Sequence, residues 1–263
     1  MLGRFVEEAR RRVAESRRVC PLDRLAHLAR LVPPAVDLAE RLGRPGVQLI
    51  AEIKRRSPSR GDLRPDLDPA TLATAYADGG AAALSVLTEP AHFAGSLDDL
   101  LAARAGLRRA GMNLPILRKD FIVDSYQVVE ARAYGADAVL LIVGALEPDA
   151  LAQLYGEVQR WGMSALVEVH NQAELAQALA IEPRMVGLNS RNLRDMTVDL
   201  ATVEQLRPLV PPGTLVVAES GIHGREEVRR LRALGVDAML VGEALVRATC
   251  PQAVARALVE AGQ

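Results

Sequence analysis

Lysine is nearly absent from this chain of 263 residues. Of its 32 lysines and arginines only two are lysine, and Lys54 and Lys119 each stand at the end of an apolar run. Arginine does not release its proton in a protein, whereas the pKa of a lysine amine shifts readily when the amine is desolvated or lies beside another charge. A site that transfers a proton or forms an imine can use lysine but not arginine, so both lysines are candidate functional residues.

Aromatic residues and cysteines are also scarce. Aromatics make up 3% of a chain that is 49% hydrophobic, so the core must consist of Ala, Leu and Val. Cys20 and Cys250 are too few for a disulfide framework, which fits a reducing cytosol. The four histidines are far apart in sequence without the spacing of metal ligands, and we expect no metal.

Excess charge and long apolar runs are missing as well. The net charge is −1 with acids and bases interspersed, which argues against nucleic acid or a membrane surface as partner. No apolar run has the length of a membrane helix, and the N-terminal sequence MLGRFVEEARRRVAESRR is charged rather than signal-like. We therefore expect a cytoplasmic protein.

A repeated unit is what the sequence does contain. The segments AYADGGAAAL (75–84), ARAYGADAVL (131–140) and LRALGVDAML (231–240) each end a helical pattern at glycine and enter a short, continuously apolar strand. Such glycines take the left-handed conformation that closes a helix, here Gly79 or Gly80, Gly135 and Gly235. Strands that are apolar on both faces are typical of a parallel sheet covered by helices.

The same pattern predicts eight strands separated by helical stretches. These strands are residues 48–54, 82–87, 114–119, 138–143, 164–169, 185–189, 214–219 and 238–242. Eight such repeats, with no ninth strand, predict an α/β fold of the closed (β/α)8 type, the TIM barrel. A doubly wound open sheet is the alternative, although it does not normally need eight similar units.

The first 47 residues precede the first predicted strand. They are helical in pattern and too short for a core of their own, so we expect 1–47 to be a helical extension on the mouth of the barrel formed by 48–263, in one domain overall. Its apolar residues should pack on that mouth, and deleting residues 1–45 should impair activity more than folding. The apolar residues of the extension that should pack on the mouth are Phe5, Val6, Val13, Leu22, Leu25 and Leu28.

Charged and polar groups stand where the predicted strands end. Barrel enzymes carry their chemistry at these carboxyl ends, so the groups should meet at one mouth. They are Glu52, Lys54, Lys119, Glu168, Asn189, Arg191, Glu219 and Ser220. Gly221 and Gly242 follow the seventh and eighth strands, where barrels often bind phosphate through backbone amides. Any one charged group fits an ordinary ion pair at the rim, but the set as a whole indicates a catalytic site.

These residues lie in motifs that resemble a known family. The segments LIAEIKRRSPSRG, ALSVLTEPAHFAGSLDDL, LPILRKDFIVDSYQVVEARAYGADAVLLI, LVEVHN, GLNSRNL, VAESGI and LVGEALVRA follow one another over residues ~48–248. The succession resembles the indole-3-glycerol-phosphate synthase family of tryptophan biosynthesis. The resemblance implies a carboxy-lyase that closes 1-(o-carboxyphenylamino)-1-deoxyribulose 5-phosphate to indole-3-glycerol phosphate with loss of carbon dioxide and water. It implies no metal or organic cofactor, and we expect a monomer whose partner is this small molecule.

The resemblance also assigns roles to the motif residues. Lys119 would be the general acid that protonates the ketone, Glu168 its acid/base partner, and Glu52 with Lys54 would position the substrate and assist dehydration. Asn189 and Ser220 would complete the catalytic set. Substrate binding would fall to Ser57, Phe93, Phe121, Arg191, Glu219, Gly221, Gly242 and Glu243. Glu243 stands where some members of the family have serine.

Three other interpretations remain open from the residues. A lysine-imine aldolase would use Lys119 as nucleophile on the same barrel. An isomerase of phosphoribosyl-amine substrates would need a pair of carboxylates but not both lysines. A phosphosugar-binding protein without activity would have lost some of the groups at the strand ends, and here every charged position of the motifs is filled.

Overall fold

The computed structural model describes residues 2–192 and 197–263, so the last residue of the GLNSRNL motif lies outside the described part. Eight parallel strands close into a barrel in which each strand pairs with its two neighbours. They are β1 (Gln48–Ile53), β2 (Ala83–Leu87), β3 (Ile116–Lys119), β4 (Ala138–Ile142), β5 (Ser164–Val169), β6 (Met185–Asn189), β7 (Leu215–Glu219) and β8 (Ala238–Val241). The eighth strand pairs with the first, Gln48 opposite Ala238, which excludes the open sheet. The predicted (β/α)8 barrel is confirmed.

Helices precede the barrel and alternate with its strands. They are α1 (Leu2–Val19), α2 (Leu22–Leu31), α3 (Leu38–Leu42), α4 (Pro69–Asp78), α5 (Pro90–Phe93), α6 (Leu97–Arg109), α7 (Ser125–Ala133), α8 (Pro148–Arg160), α9 (Gln172–Leu179), α10 (Ala201–Leu206), α11 (Arg225–Ala233), α12 (Glu243–Val246) and α13 (Pro251–Gly262). The described residues also form two 3-10 turns, Val143–Ala145 and Arg207–Leu209, and a small antiparallel pair, Arg56–Ser57 with Gly61–Asp62. None of the described helices is long and apolar enough to cross a membrane.

Local sequence sets the ends of the helices. Asp124 begins α7 by accepting a hydrogen bond from the amide of Tyr126, which satisfies an amide that has no partner inside the helix. After α4, Gly80 rather than Gly79 takes the left-handed conformation, with φ of +91°. Gly135 plays the same part after α7. These turns return the chain to the amino end of the next strand.

Alternation along each strand separates the barrel interior from the helix layer. Interior positions carry medium-sized or small apolar side chains, among them Ile50, Leu117, Leu166 and Val217, as expected where aromatics are scarce. Successive side chains of a strand point to opposite faces, so the residue two positions later points inward as well. That rule places Glu52, Lys119, Glu168 and Glu219 above these residues, at the carboxyl mouth of the barrel.

The first three helices contact the barrel in three different places. In α1, Phe5 packs on the ring of Phe121 at the carboxyl mouth. In α2, Leu25 lies in a buried cluster with Tyr126 of α7, on the flank. In α3, Leu38 and Leu42 join the apolar cluster inside the barrel, while the preceding Asp37 carboxylate lies 2.9 Å from Arg184, just before β6. This third helix therefore lies at the amino end, opposite the mouth.

Part of the expectation for the extension was wrong. Phe5, Val6, Val13 and Leu25 are buried, but Leu22 and Leu28 are 41% and 43% exposed. Both lie on the outer side of α2, because Leu25 and Ala29 form the buried side of that helix. Of the first three helices, α1 is the one that reaches the mouth, and the buried apolar residues of α2, Leu25 and Ala29, pack on the flank.

Candidate functional site

One cavity at the carboxyl mouth of the barrel is lined by all fourteen residues that were predicted from the sequence as catalytic or substrate-binding. They are Glu52, Lys54, Ser57, Phe93, Lys119, Phe121, Glu168, Asn189, Arg191, Glu219, Ser220, Gly221, Gly242 and Glu243. The lining also includes residues that sequence reasoning did not propose for the site, chiefly Phe5, Glu89, Asp120, Leu140, Ile142, His223 and Leu240. Leu140, Ile142 and Leu240 were detectable in principle, because they lie on inward-facing positions near the ends of β4 and β8.

Lys119 lies between two carboxylates on the floor of this cavity. Its Nζ is 2.8 Å from Oε2 of Glu168 and makes a very short contact with Oε2 of Glu219. All three side chains come from interior positions of β3, β5 and β7, and both carboxylates are almost fully buried. The lysine is therefore a compact cation held between two carboxyl groups, which is the position of a poised proton donor.

Burial and mutual charge shift the three pKa values apart. Burial acts to lower the pKa of the Lys119 amine, but the charges of Glu168, Glu219 and Glu52 outweigh it and hold that pKa above its ordinary value. Burial also acts to raise the pKa of Glu168, yet Lys119 and His170 hold it below the usual range. Glu219 differs: burial, reinforced by the charge of Glu168, raises its pKa to about 8. At neutral pH this floor thus holds a charged lysine and an ionised Glu168, while Glu219 keeps its proton to a higher pH than an ordinary carboxyl group.

Glu52 and Lys54 form a second ion pair on the opposite wall. Lys54 Nζ lies 2.6 Å from Oε1 of Glu52, and the Glu52 side chain is 5% exposed. The spacing of two residues puts both groups on one side of the chain as β1 ends. Gly242 leaves room for this carboxylate, since a Cβ there would overlap Glu52 Oε1.

A polar group is fixed between β6 and β7. The amide oxygen of Asn189 accepts hydrogen bonds from Ser220 Oγ at 2.9 Å and from the backbone amide of Arg191 at 2.9 Å. This leaves the amide nitrogen of Asn189 as the donor available to a ligand. Ser220 has φ of +66°, an uncommon conformation for a residue other than glycine, and strain of this kind gathers at functional sites.

All three phenylalanines of the chain line the cavity. Phe5 stacks on Phe121 with ring centroids 4.6 Å apart, and it meets His92 edge-on at 4.7 Å. Phe93 comes from α5, the short helix that follows β2. Phe5 was expected at the mouth but was not proposed as a site residue, because α1 lies more than a hundred residues from Phe121 in the sequence. A rigid apolar wall of this kind suits a planar ring.

Polar contacts hold α1 over the mouth. Arg12 forms a two-pronged ion pair with the buried Asp120, at 2.7 and 3.2 Å. Burial acts to raise the pKa of Asp120, but the charges and hydrogen bonds of Arg118 and Arg12 lower it below its ordinary value. Closer to the cavity, Glu8 Oε2 lies 2.7 Å from Nε2 of His92. These contacts fix the position of Phe5.

The glycine-ended loops lie on the side of the cavity formed by β7 and β8. Gly221 has φ of +78°. Gly242 is the first residue before α12, whose initial backbone amides have no partner within the helix. Glu243 also lies here, and its carboxylate is 3.6 Å from Arg60 and 3.4 Å from Arg247. Two guanidinium groups therefore offset the negative charge that Glu243 brings to a candidate phosphate site.

His170 and Glu174 form a layer behind Glu168. His170 Nε2 lies 3.2 Å from Oε1 of Glu168, and Nδ1 lies 3.0 Å from Oε2 of Glu174. The first contact is an ion pair rather than an aligned hydrogen bond, since the buried Nε2 has no partner in hydrogen-bonding geometry among the described residues. Burial acts to lower the pKa of His170, but both carboxylates outweigh it and raise that pKa to about 10.

One cluster in residues 2–192 and 197–263 has metal-ligand character. Oxygen or nitrogen atoms of Glu8, Glu89 and His92 lie within 4.8 Å of one another. Both carboxylate oxygens of Glu89 already accept hydrogen bonds from backbone amides at the start of α5, and His92 holds Glu8. This cluster anchors α1 and begins α5, which accounts for its polar atoms.

A closed barrel with lysines, carboxylates and an amide converging on its carboxyl mouth defines the class of protein: a (β/α)8-barrel enzyme that works by acid–base chemistry. A sequence model described as "Indole-3-glycerol phosphate synthase" matches residues 2–258. This chain belongs to the indole-3-glycerol phosphate synthase family. The family expected from the motifs is confirmed.

Individual relatives agree with the family model. An indole-3-glycerol phosphate synthase of Dehalococcoides mccartyi is 51% identical over 228 residues, 86% of this chain and 86% of the relative. Indole-3-glycerol phosphate synthase 2 of Streptomyces coelicolor is 48% identical over 259 residues, 98% of each chain. Among solved structures, a thiamine phosphate pyrophosphorylase of Pyrococcus furiosus is similar with a TM-score of 0.63 and 19% identity, covering 86% of this chain and 97% of that one. The last likeness concerns the fold alone.

Proposed function

We propose that this protein is an indole-3-glycerol-phosphate synthase. Its reaction closes 1-(o-carboxyphenylamino)-1-deoxyribulose 5-phosphate to indole-3-glycerol phosphate with loss of carbon dioxide and water. The observation that carries the proposal is Lys119, held between Glu168 and Glu219 beneath an aromatic wall. A buried ammonium beside a planar apolar surface suits a substrate that carries both an aromatic ring and a ketone.

Ring closure places a negative charge on the ketone oxygen as the aromatic carbon attacks. Lys119 is charged at neutral pH and donates a proton to this oxygen, since two carboxylates maintain its charge until the substrate arrives. Departure of carbon dioxide then restores the aromatic ring. General acid catalysis of this kind typically contributes about 10²–10⁴-fold to the rate.

Dehydration follows on the same floor. The departing hydroxyl needs a proton, and a second proton must leave the ring as the indole forms. Glu168 is ionised and lies next to the donor, so it accepts this second proton. The pair formed by Glu52 and Lys54 holds the opposite side of the substrate and assists departure of the hydroxyl.

Binding of the substrate divides between the two sides of the cavity. Phe5, Phe93 and Phe121 pack on the anthranilate ring. Asn189, Ser57 and Arg191 orient hydroxyl and carboxylate groups, Glu219 and Ser220 complete the floor, and backbone amides at Gly221, Gly242 and Glu243 hold the phosphate. We also propose that the protein is a cytoplasmic monomer in which residues 1–47 and 48–263 act as one unit.

The lysine-imine aldolase is disfavoured by the setting of Lys119. An imine forms from a neutral amine, whereas the carboxylates around Lys119 hold its pKa above the ordinary value. We therefore expect no adduct when borohydride is added with substrate.

Indole fluorescence tests the function directly. Purified protein mixed with the carboxyphenylamino-ribulose phosphate should produce the fluorescence of an indole, with release of carbon dioxide. No indole product from folded protein, or a substrate adduct on Lys119 after borohydride treatment, would contradict the proposal.

A further inference from the structure

The aromatic wall of the cavity, formed by Phe5, Phe93 and Phe121, is assembled from three separate elements. Phe5 belongs to α1 and Phe93 to α5, while Phe121 follows the end of β3. A wall that binds a planar ring well must be fixed before the ring arrives, because ordering side chains during binding costs affinity. The role inferred here for His92 rests on the proposed function, in which the anthranilate ring packs on this wall.

Phe5 lies in the part of α1 that has the least support from the helix itself. The helix begins at Leu2, and the backbone amides of a first turn have no partners within the helix. The ion pair of Arg12 with Asp120, at 2.7 and 3.2 Å, holds α1 about two turns further along. The first turn therefore needs contacts of its own if Phe5 is to stay in one place.

His92 contacts α1 at two points that lie one turn apart. Its ring meets the ring of Phe5 edge-on, with centroids 4.7 Å apart and an angle of 66° between the planes. Its Nε2 lies 2.7 Å from Oε2 of Glu8. Phe5 and Glu8 are three positions apart and so share one face of the helix. One imidazole thus holds both side chains of that face.

Glu8 is the acceptor in its contact with His92. Hydrogen bonds from Arg4 and His92 hold the pKa of Glu8 below its ordinary value, so this carboxylate is ionised at neutral pH. An ionised carboxylate only accepts, and therefore Nε2 of His92 carries the hydrogen. Arg4 Nε donates to the other oxygen of Glu8 at 2.8 Å. The bond from His92 is charge-assisted, which makes it stronger than a neutral one.

The short helix α5 gives His92 a fixed backbone. The buried Glu89 begins this helix, and its two carboxylate oxygens accept hydrogen bonds from three successive amides, the last two being those of His92 and Phe93. Because His92 and Phe93 are consecutive, the residue that contacts Phe5 is joined directly to another member of the aromatic wall. A displacement of His92 would change the spacing between two sides of the wall.

We propose that His92 is a positioning residue that sets the affinity of the aromatic wall for the ring of the substrate, through its hydrogen bond to Glu8 and its contact with Phe5. His92 is not one of the described residues that line the cavity, so it acts through Phe5. The wall contacts the ring in the bound substrate and throughout ring closure, and it therefore stabilises both states alike. Loss of His92 should raise KM and leave kcat nearly unchanged.

Three variants of His92 separate its two contacts. His92→Ala removes both, His92→Gln keeps an N–H donor without the ring, and His92→Phe keeps a ring without the donor. In His92→Ala, KM should rise by about tenfold, as expected for loss of one charge-assisted hydrogen bond and one aromatic contact, both partly exposed. The other two variants should each restore part of the loss. Steady-state indole fluorescence gives KM and kcat, and a fall in kcat at constant KM would contradict the role.

Two unreactive probes locate the effect within the cavity. The substrate analogue with its ketone reduced to an alcohol carries both ring and phosphate, whereas inorganic phosphate lacks the ring. Calorimetry should show that His92→Ala binds the analogue about tenfold more weakly. Inhibition of this variant by inorganic phosphate should be unchanged, which also shows that the barrel is folded. An equal loss for both probes would mean a general distortion of the mouth and would overturn the role of His92.

Neighbouring glutamates on α1 provide a matched pair of controls. Glu7 pairs with Arg11 on the exposed side of the helix, so Glu7→Ala should leave KM unchanged, whereas Glu8→Ala should raise it. The double variant Glu8→Ala with His92→Ala should be no worse than His92→Ala alone, because Glu8 acts through His92. Additive losses would contradict this coupling.

The outcomes for the inference and for the proposed function are distinct. If the unchanged protein forms indole and His92→Ala binds the analogue with full affinity, the role of His92 is wrong and the function stands. If the unchanged protein forms no indole, both proposals fall.

Discussion

At the scale of single residues, the two lysines differ in their partners. Lys119 contacts two buried carboxylates, whereas Lys54 forms its ion pair with one, Glu52. Arginine elsewhere in the chain carries the structural ion pairs, for example the buried Arg118, which bonds Asp120 and Glu130 behind the active floor. Lysine remains where the cation must be compact and its proton transferable.

We expect Lys119→Arg to lower kcat by about 10²–10⁴-fold, because arginine keeps the charge but cannot act as an acid near neutral pH. Substrate affinity should persist, since the phosphate and the ring bind elsewhere. Lys54→Arg serves as the matched change, and it should cost less, through displaced geometry rather than lost acidity. Steady-state kinetics of the two variants provide the comparison. Near-full turnover of Lys119→Arg would move the proton donor to Lys54 or Glu168.

Glu219 should make the folded protein less stable as the pH rises. Its pKa is raised to about 8 in the folded state from an ordinary 4.5, mainly by burial. The folded state therefore binds the proton more tightly, and this stabilisation is complete below pH 4.5 and lost as the pH rises through 8. Glutamine does not ionise, so Glu219→Gln should not lose stability in this way. The melting temperature of the variant minus that of the unchanged protein should therefore increase between about pH 5 and pH 8.

The corresponding difference in the free energy of unfolding should change by up to about 1.4 kcal/mol per pH unit in this window, the value for one proton. Glu7→Gln, at an exposed position on α1, is the control and should follow the unchanged protein. Parallel stability curves for Glu219→Gln and the control would show that Glu219 is ionised throughout.

At the scale of elements, strand β6 carries a glycine that the floor requires. Gly187 lies beside Glu219, and a Cβ at this position would overlap Glu219 Oε1. The absence of a side chain at Gly187 in β6 thus leaves space for the Glu219 carboxylate of the neighbouring strand β7. The same arrangement occurs between Gly242 and Glu52.

Gly187→Ala should displace the Glu219 carboxylate and lower kcat by about tenfold or more. The added methyl group should also destabilise the fold by about 1–3 kcal/mol, as overpacking does. In Gly156→Ala on α8, the new Cβ would meet no described atom within 4 Å, and the change should be neutral or slightly stabilising. Kinetics and thermal unfolding of the pair test this; unchanged kcat in Gly187→Ala would mean that the floor tolerates a moved Glu219.

At the scale of the whole molecule, the first 47 residues contact both ends and the flank of the barrel, and not only its mouth. Leu38 and Leu42 are fully buried within the apolar cluster at the amino end, while Phe5 lies at the opposite end. The sequence predicted that deleting residues 1–45 would impair activity more than folding. The position of α3 leads us to predict that this deletion impairs folding as well.

Deletion of residues 1–45 should abolish cooperative unfolding of the barrel. Loss of a buried leucine typically costs about 2–5 kcal/mol, and α3 contributes two, against a total stability of about 5–15 kcal/mol for a typical domain. Deletion of residues 1–20 leaves α2 and α3 in place and should give a folded protein with weak activity. Calorimetry and turnover of both truncations distinguish the cases; a cooperative, stable 46–263 fragment would contradict the inferred role of α3.

The sequence by itself determined the elements and the residues at their ends. Continuous apolar strands, glycines after helices and a period of two within each strand are local properties, and they were enough to align Glu52, Lys119, Glu168 and Glu219 on inward positions. The motifs then indicated the family. Residues whose roles depend on strand position were found because the barrel brings all carboxyl ends to one face.

Tertiary structure alone decided which of these residues touch. That Lys119 bridges Glu168 and Glu219 is a result of the order of strands around the closed barrel, whereas the pairing of Lys54 with Glu52 follows from their spacing of two residues at the end of β1. The arrival of Phe5 at the mouth and of α3 at the amino end depends on packing between segments distant in the chain. Local patterns carry no information on such contacts, since they arise from long-range packing.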